Sequence, residues 1–297
     1  MSKKAKAWLE AMRLHTLPVS VAGVLAGCCC ALLLHSFKIL PALICLLFAV
    51  TAQIAANFAN EYYDFRKGLD KKGRQGFRRG VTEGDLSPKA MKWATFTLLI
   101  LDSILGCSLI YWGGWGLIAV GVAVVLFALA YSAGPYPLSH NGLGDIAVII
   151  FFGLVPVGFT TWIQAGFTVE SLNLCLLTGL GIGLLADNVL IVNNYRDMED
   201  DLAVGKRTTV GIFGRGAMSM VYLIFGLGGI LLIALATLPF FGPLLSCFWS
   251  VWMILYILLW RRMSPSRGAA LNQCLRLTAL LMLGIIICLL FITVATV

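Results

Sequence analysis

Residues 53–64, QIAANFANEYYD, and residues 187–201, DNVLIVNNYRDMEDD, decide how this chain folds. In each stretch an apolar run acquires amide and carboxylate side chains, mostly three or four residues apart, which places most of them on one face of an α-helix. We call residues 53–64 together with Asp70 the first ladder, and residues 187–201 the second ladder. Ionisable side chains are costly inside a membrane, so each ladder predicts a functional site. Carboxylates packed this closely repel one another, and the pattern therefore predicts a cation between them.

The composition around the ladders is typical of an all-α integral membrane protein. Of the 297 residues, 60% are hydrophobic and 12% are charged, and the mean hydropathy is +0.91; soluble domains average about 25% charged residues. Apolar stretches of about twenty residues can cross the hydrocarbon layer as helices. We predict nine transmembrane helices in one bundle, over residues 17–35, 39–60, 93–112, 114–131, 145–166, 171–193, 217–238, 241–260 and 273–296.

The spans predict one polytopic membrane domain over residues 1–297. Both ladders lie at the same end of even-numbered spans, four spans apart. Residues 1–140 and 141–260 are therefore a candidate pseudo-repeat, followed by a final helix over 273–296.

The basic residues predict the orientation of the bundle. With nine spans and a cytoplasmic N-terminus, 21 of the 22 Lys and Arg residues fall on the cytoplasmic side and Lys38 alone falls outside, as the positive-inside rule expects. The C-terminus is then outside. The net charge of +8 reflects this topology and contact with anionic lipid, and it predicts no nucleic-acid partner.

The ladders and the loops after them favour a site for magnesium and phosphate. Carboxylate and amide oxygens suit Mg²⁺, which binds few carboxylates and completes its shell with water and substrate phosphate. Basic residues that complement phosphate oxygens follow each ladder: Arg66, Lys67, Arg74, Arg78 and Arg79, then Arg196, Lys206 and Arg207. A third loop, residues 131–145, has no Lys or Arg; Tyr131 and Tyr136 either face a substrate from it or simply pack there.

The spacing within the ladders resembles a known family. Asn60-x3-Asp64-x5-Asp70 and Asn193-Asn194-x-Arg196-Asp197-x3-Asp201-x3-Gly205-Lys206 are similar to the two aspartate-rich motifs of the UbiA-type intramembrane prenyltransferases. The resemblance is greatest to the 1,4-dihydroxy-2-naphthoate polyprenyltransferase branch of menaquinone biosynthesis. Residues 13–18 (RLHTLP), 67–70 (KGLD), 134–137 (GPYP) and 141–144 (NGLG) support that branch. Two positions depart from it: Glu61 stands where Asp is expected, and Asp145 stands where Glu is expected.

The resemblance implies a cofactor and a set of site residues. The cofactor is Mg²⁺, expected as two ions, and its implied ligands are Asn60, Glu61, Asp64, Asp70, Asp197 and Asp201. The implied catalytic residues are the four aspartates of that set. The implied substrate-binding residues are Asn57, Asn60, Lys67, Arg78, Tyr131, Tyr136, Asn193, Asn194, Lys206 and Arg207.

The resemblance also implies a reaction. A polyprenyl group is transferred from polyprenyl diphosphate to 1,4-dihydroxy-2-naphthoate with loss of CO2, which gives demethylmenaquinone. The expected location is a bacterial cytoplasmic (inner) membrane, with membrane lipid around the bundle and no obligatory protein partner. The alternative within the family is another aromatic acceptor, such as 4-hydroxybenzoate or homogentisate.

Two other classes of protein fit the sequence less well. Lipid phosphotransferases have an Asp-x2-Asp-Gly-x2-Ala-Arg pattern that is absent here. Transporter ion sites tend to lie at the membrane midplane, whereas these ladders lie at the cytoplasmic ends of their spans. The residues leave open the prenyl chain length, the group that accepts the acceptor's proton, the oligomeric state, and the roles of Asp102, Asp145 and Asp187.

Overall fold

The computed structural model describes residues 2–70 and 76–297, and the regular structure in these residues is helical, without a β-strand. Arg74, one of the basic residues noted above, lies outside the described residues. The helices are α1 (Lys3–Ala11), α2 (Leu17–Leu33), α3 (Ile39–Arg66), α4 (Pro88–Gly113), α5 (Leu117–Ala130), α6 (Gly144–Val148), α7 (Val155–Ala165), α8 (Val169–Ala203), α9 (Thr209–Phe241), α10 (Ser246–Met263) and α11 (Leu271–Thr296). A π-helical segment, Ile149–Leu154, joins α6 to α7, and 3₁₀ turns occupy Leu138–His140, Gly242–Leu245 and Gly268–Ala270.

The protein is a multi-pass membrane protein. Six helical segments in the described residues are long and apolar enough to cross a membrane: Ile39–Arg66, Pro88–Gly113, Gly144–Ala165, Val169–Ala203, Thr209–Phe241 and Gly268–Thr296. Two shorter apolar helices, α2 and α5, accompany them, and α10 has 18 residues. Each of the nine predicted spans coincides with a helix, while the number of crossings and the side of each terminus stay predictions.

Helix α8 lies at the centre of the bundle and carries the second ladder. Of its most apolar 18-residue window, 72% is buried inside the protein, against 28% for α3. Close approach of neighbouring backbones explains this burial: a Cβ on Gly153 of the π-helical segment would lie 2.4 Å from the backbone oxygen of Gly179 in α8. On the other side, a Cβ on Gly181 would lie 2.7 Å from the backbone oxygen of Gly229 in α9. Small residues let membrane helices pack at such short distances.

Both ladder helices extend beyond the predicted spans. The prediction ended the sixth span at residue 193, whereas α8 continues to Ala203, and it began the seventh span at 217, whereas α9 begins at Thr209. The polar residues of the ladder stay helical because their side chains are buried and bonded within the protein, as the site geometry shows. Helix α1 was not predicted; the Ser2 side chain, which accepts from the Ala5 N–H, caps its start.

Candidate active site

A cavity of about 280 Å³ lies between the ladder helices and extends between α4, α5 and the α6–α7 span. One end is polar and includes Arg13, Asn60, Asn193, Asp197, Asp201 and Lys206. The other end is apolar and includes Phe48, Leu109, Leu117, Val124, Phe151 and Phe159. The cavity thus suits a molecule with a charged head and a long hydrocarbon tail.

Lys206 lies between the two ladders. Its Nζ is 3.8 Å from Oδ2 of Asp64 in α3 and 3.5 Å from Oδ1 of Asp201, near the end of α8. After Ala203 the chain turns back at Gly205 (φ 76°), and the Lys206 N–H donates to the backbone oxygen of Asp201 at 2.9 Å. Glycine adopts this left-handed conformation without a steric penalty. An ammonium group of the chain itself therefore lies between carboxylates of the two ladders.

His140 is a second partner of Asp64. Its Nε2 lies 3.1 Å from Oδ1 of Asp64, a side chain that is only 1% exposed. The backbone oxygen of His140 accepts from the N–H of Arg207 at 2.9 Å. This bond fastens the loop before α6 to the loop after α8, so that both loops support the first ladder.

Asp197 of the second ladder is paired within its own helix. The Arg196 guanidinium donates from Nε to Oδ1 and from Nη2 to Oδ2 of Asp197, both at 2.7 Å. The same guanidinium donates to the amide oxygens of Asn193, at 2.8 Å, and Asn272, at 2.9 Å. Arg196 and Asp197 are both buried. A buried bidentate pair with further hydrogen bonds holds its geometry firmly.

Asn60 of the first ladder contacts two arginines. Its Oδ1 accepts from Arg79 at 3.0 Å and from Arg13, while its Nδ2 donates to Oγ of Ser132 at 3.0 Å. Arg79 also lies 3.5 Å from a carboxylate oxygen of Asp70. These contacts bring the segment before α2, the loop after α3 and the loop after α5 together at one side chain.

The turn between α1 and α2 is held against α3 by amides. Nδ2 of Asn57 donates to the backbone oxygen of Met12 at 3.0 Å, and Nε2 of Gln53 donates to Oγ1 of Thr16 at 3.1 Å. Arg13, between these anchors, has a φ of 52°, which is uncommon for a residue with a Cβ. The anchored backbone directs its guanidinium toward the cavity.

His15 and Phe77 form a stacked pair beside the ladders. Their ring centroids are 3.7 Å apart, and the guanidinium carbons of Arg196 and Arg276 lie 5.2 and 5.7 Å from the centre of the Phe77 ring. Burial, together with the charges of Arg13, Arg196 and Arg276, lowers the pKa of His15 to about 3. His15 is therefore a neutral packing residue at physiological pH and adds no cation to the site.

Two sequence candidates face away from the cavity. Glu61, implied as a metal ligand, is 1% exposed, and its Oε1 accepts from the backbone N–H of Val81 at 2.9 Å. Its carboxyl group thus anchors the loop after α3. Arg78, implied as a phosphate ligand, contacts Asp85, and its Nη1 lies 3.6 Å from Glu10. The structure brings its neighbour Arg79 to the cavity instead.

The other candidates divide between the cavity and its surroundings. Tyr131, like Asn57, Asn193 and Asn194, lines the cavity. Lys67 Nζ donates to the backbone oxygens of Ser132 and Gly134, at 3.2 and 3.3 Å, and so supports the loop after α5. Tyr136 is 62% exposed, and Arg207 is exposed as well. These three side chains lie outside the cavity lining.

The oxygen ligands of the ladders fit a magnesium ion whose coordination shell is completed by a substrate. No group of three or more His, Cys, Asp or Glu side chains in residues 2–70 and 76–297 is placed to hold a metal alone. Asp64 and Asp201 are instead joined through Lys206. Mg²⁺ commonly takes one or two carboxylates and fills its remaining positions with water and phosphate oxygens. Asp197 and Asp201 of the second ladder line the cavity, and Asp64 of the first ladder is joined to Asp201 through Lys206.

Arg13 and His140 were not among the predicted site residues, and Arg79 was predicted only as one of several basic residues that follow the first ladder. Arg13 belongs to the RLHTLP segment and Arg79 follows Arg78 directly, so both were visible as basic residues near the ladders. His140 had no local signal. All three lie in loops, where a helical period does not indicate the direction of a side chain.

The chain is similar to several known proteins. The model of the UbiA prenyltransferase family matches residues 20–282. A 1,4-dihydroxy-2-naphthoate octaprenyltransferase of Haemophilus influenzae is 36% identical over 216 residues, which cover 70% of this chain and 69% of that protein. One of Mycobacterium leprae is 32% identical over 279 residues, 93% of this chain and 92% of that protein.

A solved structure shares the fold. A UbiA homologue of Archaeoglobus fulgidus bound to GPP and Mg²⁺ superposes with a TM-score of 0.68 and 13% identity. The superposition covers 96% of this chain and 99% of that one. At this level of identity the similarity concerns the arrangement of the helices.

Proposed function

The chain belongs to the UbiA prenyltransferase family, and on that premise we propose that it transfers a polyprenyl group from polyprenyl diphosphate to 1,4-dihydroxy-2-naphthoate with loss of CO2. The observation that carries the proposal is the cavity, which joins the two ladders to an apolar channel between helices. The names of the relatives from Haemophilus influenzae and Mycobacterium leprae support the naphthoate acceptor.

The diphosphate of the donor binds at the polar end in this proposal. Arg13, Arg79 and Lys206 are the cations there, and each already contacts an oxygen of a ladder residue. Arginine and lysine bind phosphate oxygens through charge-assisted hydrogen bonds. Lys206 would exchange its contacts with the carboxylates for contacts with phosphate.

Magnesium would be held by Asp64, Asp70, Asp197 and Asp201 with the amide oxygen of Asn60, and when bound it would neutralise charge on the diphosphate as a Lewis acid. The Archaeoglobus fulgidus homologue was solved with GPP and Mg²⁺ bound, which supports magnesium as the metal in this proposal. The chain's own cations add to that neutralisation, since positive groups fixed at the leaving group stabilise the charge that develops there. Glu61 has the supporting role of holding the loop that carries Arg79.

The apolar end of the cavity receives the prenyl chain. Phe48, Val124, Phe127 and Phe151 line it, together with small side chains of α3. Exclusion of water from this part protects the allylic cation, which water would otherwise quench. An electron-rich naphthoate ring then attacks the allylic carbon, and the ring loses its carboxyl group as CO2.

The proposal includes a topology. Nine crossings of a bacterial cytoplasmic membrane place the N-terminus in the cytoplasm, both ladders at the cytoplasmic ends of their spans, and the C-terminus outside. Residues 1–297 would form one domain, with 1–140 and 141–260 as a pseudo-repeat and the last helix added to it. The one-sided distribution of Lys and Arg supports this orientation.

A direct assay tests the proposed function. Purified protein in lipid is supplied with Mg²⁺, a polyprenyl diphosphate and one aromatic acid at a time: 1,4-dihydroxy-2-naphthoate, 4-hydroxybenzoate or homogentisate. We expect prenylated product and stoichiometric CO2 with the naphthoate. Faster turnover of either other acid would replace the naphthoate assignment, and absence of transfer to all three would overturn the proposed function.

A further inference from the structure

Two buried carboxyl groups lie near the cavity without a part in the function described above. Asp145, at the start of α6, lines the cavity and is 9% exposed. Its two carboxylate oxygens accept from the hydroxyl of Thr209 in α9, at 2.9 and 3.0 Å. These contacts place one carboxylate at the cavity wall, fixed in orientation by a neutral donor.

Asp187 is the second of these groups. It lies in the interior of α8 and is 0% exposed. Among the described residues, neither of its carboxylate oxygens has a hydrogen-bond partner. A buried polar group in this state is costly, which makes it a candidate for function. The antiparallel register of the two segments, α8 and the α6–α7 span, places Asp187 opposite Asp145: a Cβ on Gly183 of α8 would lie 2.6 Å from the backbone oxygen of Ile149. Asp187 lies one turn after Gly183 and Asp145 one turn before Ile149, so the two carboxyl groups form a pair across α6 and α8.

The pair is separate from the phosphate end of the cavity. Asp187 precedes Asp197 by ten residues in one helix, a separation of about 15 Å along the axis. No Lys or Arg among the described residues forms an ion pair with Asp145 or Asp187 within 4 Å. Asp187 and Asp145 therefore differ from Asp64, Asp197 and Asp201, whose carboxylates have cationic partners.

Tyr131 completes the surroundings of the pair. It lines the same cavity, and a Cβ on Gly144, the residue before Asp145, would lie 3.6 Å from its hydroxyl oxygen. A tyrosine side chain is a neutral hydroxyl at physiological pH and can hydrogen-bond an oxygen of a bound ring. The cavity wall here offers a hydroxyl and a carboxylate side by side.

We propose that Asp145, supported by Asp187, accepts the hydroxyl proton of the aromatic acceptor while the ring attacks the allylic carbon. Two carboxyl groups that share a buried site cannot both be ionised, and a pair with one proton and one charge is an established type of acid–base device. Asp145 is the catalytic residue because it reaches the cavity. Asp187 is a positioning residue that acts through Asp145. The inference rests on the proposed function.

The proton and electrons balance in this step. The acceptor's O–H bond breaks, the proton moves to Asp145, and the ring carbon next to that oxygen forms the new C–C bond, which leaves a ketone. The carboxylate on that carbon then departs as CO2 and leaves its bonding pair on the ring. The resulting enolate oxygen takes the proton back from Asp145, so the pair ends in its starting state.

Another embedded carboxyl group provides a matched control. Asp102 of α4 is 1% exposed and accepts from the hydroxyl of Thr51 in α3, as Asp145 accepts from Thr209. Asp102 lies outside the cavity lining. Replacing it removes an equally buried, hydroxyl-bonded carboxyl group at a place where no acceptor binds.

The experiment compares Asp145→Asn, Asp145→Glu, Asp187→Asn and Asp102→Asn in purified protein with geranyl diphosphate and naphthol acids of graded hydroxyl acidity. A second measurement follows diphosphate release from the donor with no acceptor present, which reports ionisation alone. For Asp145→Asn and Asp187→Asn we expect kcat for transfer to fall by about a hundredfold or more, with KM and donor-only diphosphate release unchanged. The loss should shrink as the hydroxyl becomes more acidic, Asp145→Glu should recover part of the rate, and Asp102→Asn should stay within about twofold of wild type.

The possible outcomes are distinct. Wild-type kcat in folded Asp145→Asn overturns the inference, and so does a loss that is the same for every acceptor acidity. An equal fall in donor-only release would assign the pair to the donor instead, which also overturns it. Failure of the wild-type protein to prenylate any of the acids would count against the proposed function itself. If Asp187→Asn does not fold, the acidity series on Asp145→Asn and Asp145→Glu still decides.

Discussion

The two ladders contain the same types of side chain, but their charges are compensated in different ways. The carboxylates at the end of the second ladder are neutralised by neighbours in sequence: Arg196 binds Asp197, the next residue of α8, and Lys206 contacts Asp201, five residues before it. The first ladder depends on distant segments, because Asp64 contacts His140 and Lys206. One half of the site is thus preformed by its own helix, and the other half is assembled by tertiary contacts.

This difference has a physical consequence. A bidentate pair inside one helix forms whenever the helix forms, whereas the first ladder requires four loops to dock, those after α1, α3, α5 and α8. We therefore expect the first ladder to be the more sensitive to loop substitutions and the second to be sensitive mainly to changes of its own residues. The following predictions test that expectation, from the largest effect to the smallest.

Removal of the metal should inactivate both ladders equally and so have the largest effect. EDTA should reduce prenyl transfer to background and excess Mg²⁺ should restore it, because both halves of the site require the metal to bind diphosphate. Product formation is measured before chelation, after it and after Mg²⁺ is returned. Transfer that continues at the original rate in EDTA would contradict the magnesium assignment for both ladders.

Loss of one carboxylate from either ladder should be nearly as severe. We expect Asp64→Asn and Asp197→Asn each to reduce kcat/KM by about a thousandfold, a loss of about 4 kcal/mol of transition-state stabilisation. Asp200→Asn, a substitution of an exposed carboxylate of α8, serves as the control and should change activity little. Near-normal turnover of both ladder variants in folded protein would remove these residues from the site.

Lys206 is the contact that the two ladders share, and its removal should have a smaller effect. Lys206→Met should raise KM for the polyprenyl diphosphate by about tenfold to a hundredfold, because a cation that neutralises phosphate is lost. Arg207→Met removes the same charge from the adjacent, exposed position and should raise KM less than threefold. Equal effects of the two substitutions would mean that net charge matters and the placement of Lys206 does not.

Arg79 and its neighbour Arg78 provide the comparison with the smallest expected effect on activity. Arg79→Gln removes a contact to Asn60 and one to Asp70, and we expect kcat/KM to fall about tenfold, or 1.4 kcal/mol. Arg78→Gln removes contacts to Glu10 and Asp85 on the side away from the cavity and should reduce kcat/KM less than twofold. The reverse order would favour the residue that the sequence resemblance implied.

Much of the fold and of the ladders could be predicted from the sequence. Helical spans follow from runs of apolar residues, and the polar faces follow from a spacing of three and four residues, both of which are local properties. The ends of the helices were less predictable. Helix α8 continues to Ala203 because Arg196 and Asp197 pair inside the protein, a contact that hydropathy alone does not indicate.

The parts of the site that lie in loops could not be predicted. Arg78 and Arg79 are identical in type and adjacent in sequence, and packing of the loop decides that Arg79 faces Asn60 while Arg78 faces Asp85. Glu61 has the spacing of a ladder residue, yet its carboxyl group is used by the N–H of Val81. The helical period predicts which side chains share one face of a helix, but it does not predict which loop packs against that face.

The sequence by itself determined that this protein is a helical membrane protein with two acidic, amide-rich helix faces beside basic loops, since these properties depend only on composition and on the 3.6-residue period. Only the tertiary structure decided which cation meets which carboxylate. Lys206 lies between Asp64 and Asp201, and packing of α6 against α8 places Asp145 opposite Asp187. Such contacts join residues far apart in sequence, and they form because packing of the helices, rather than local spacing, sets the distances between them.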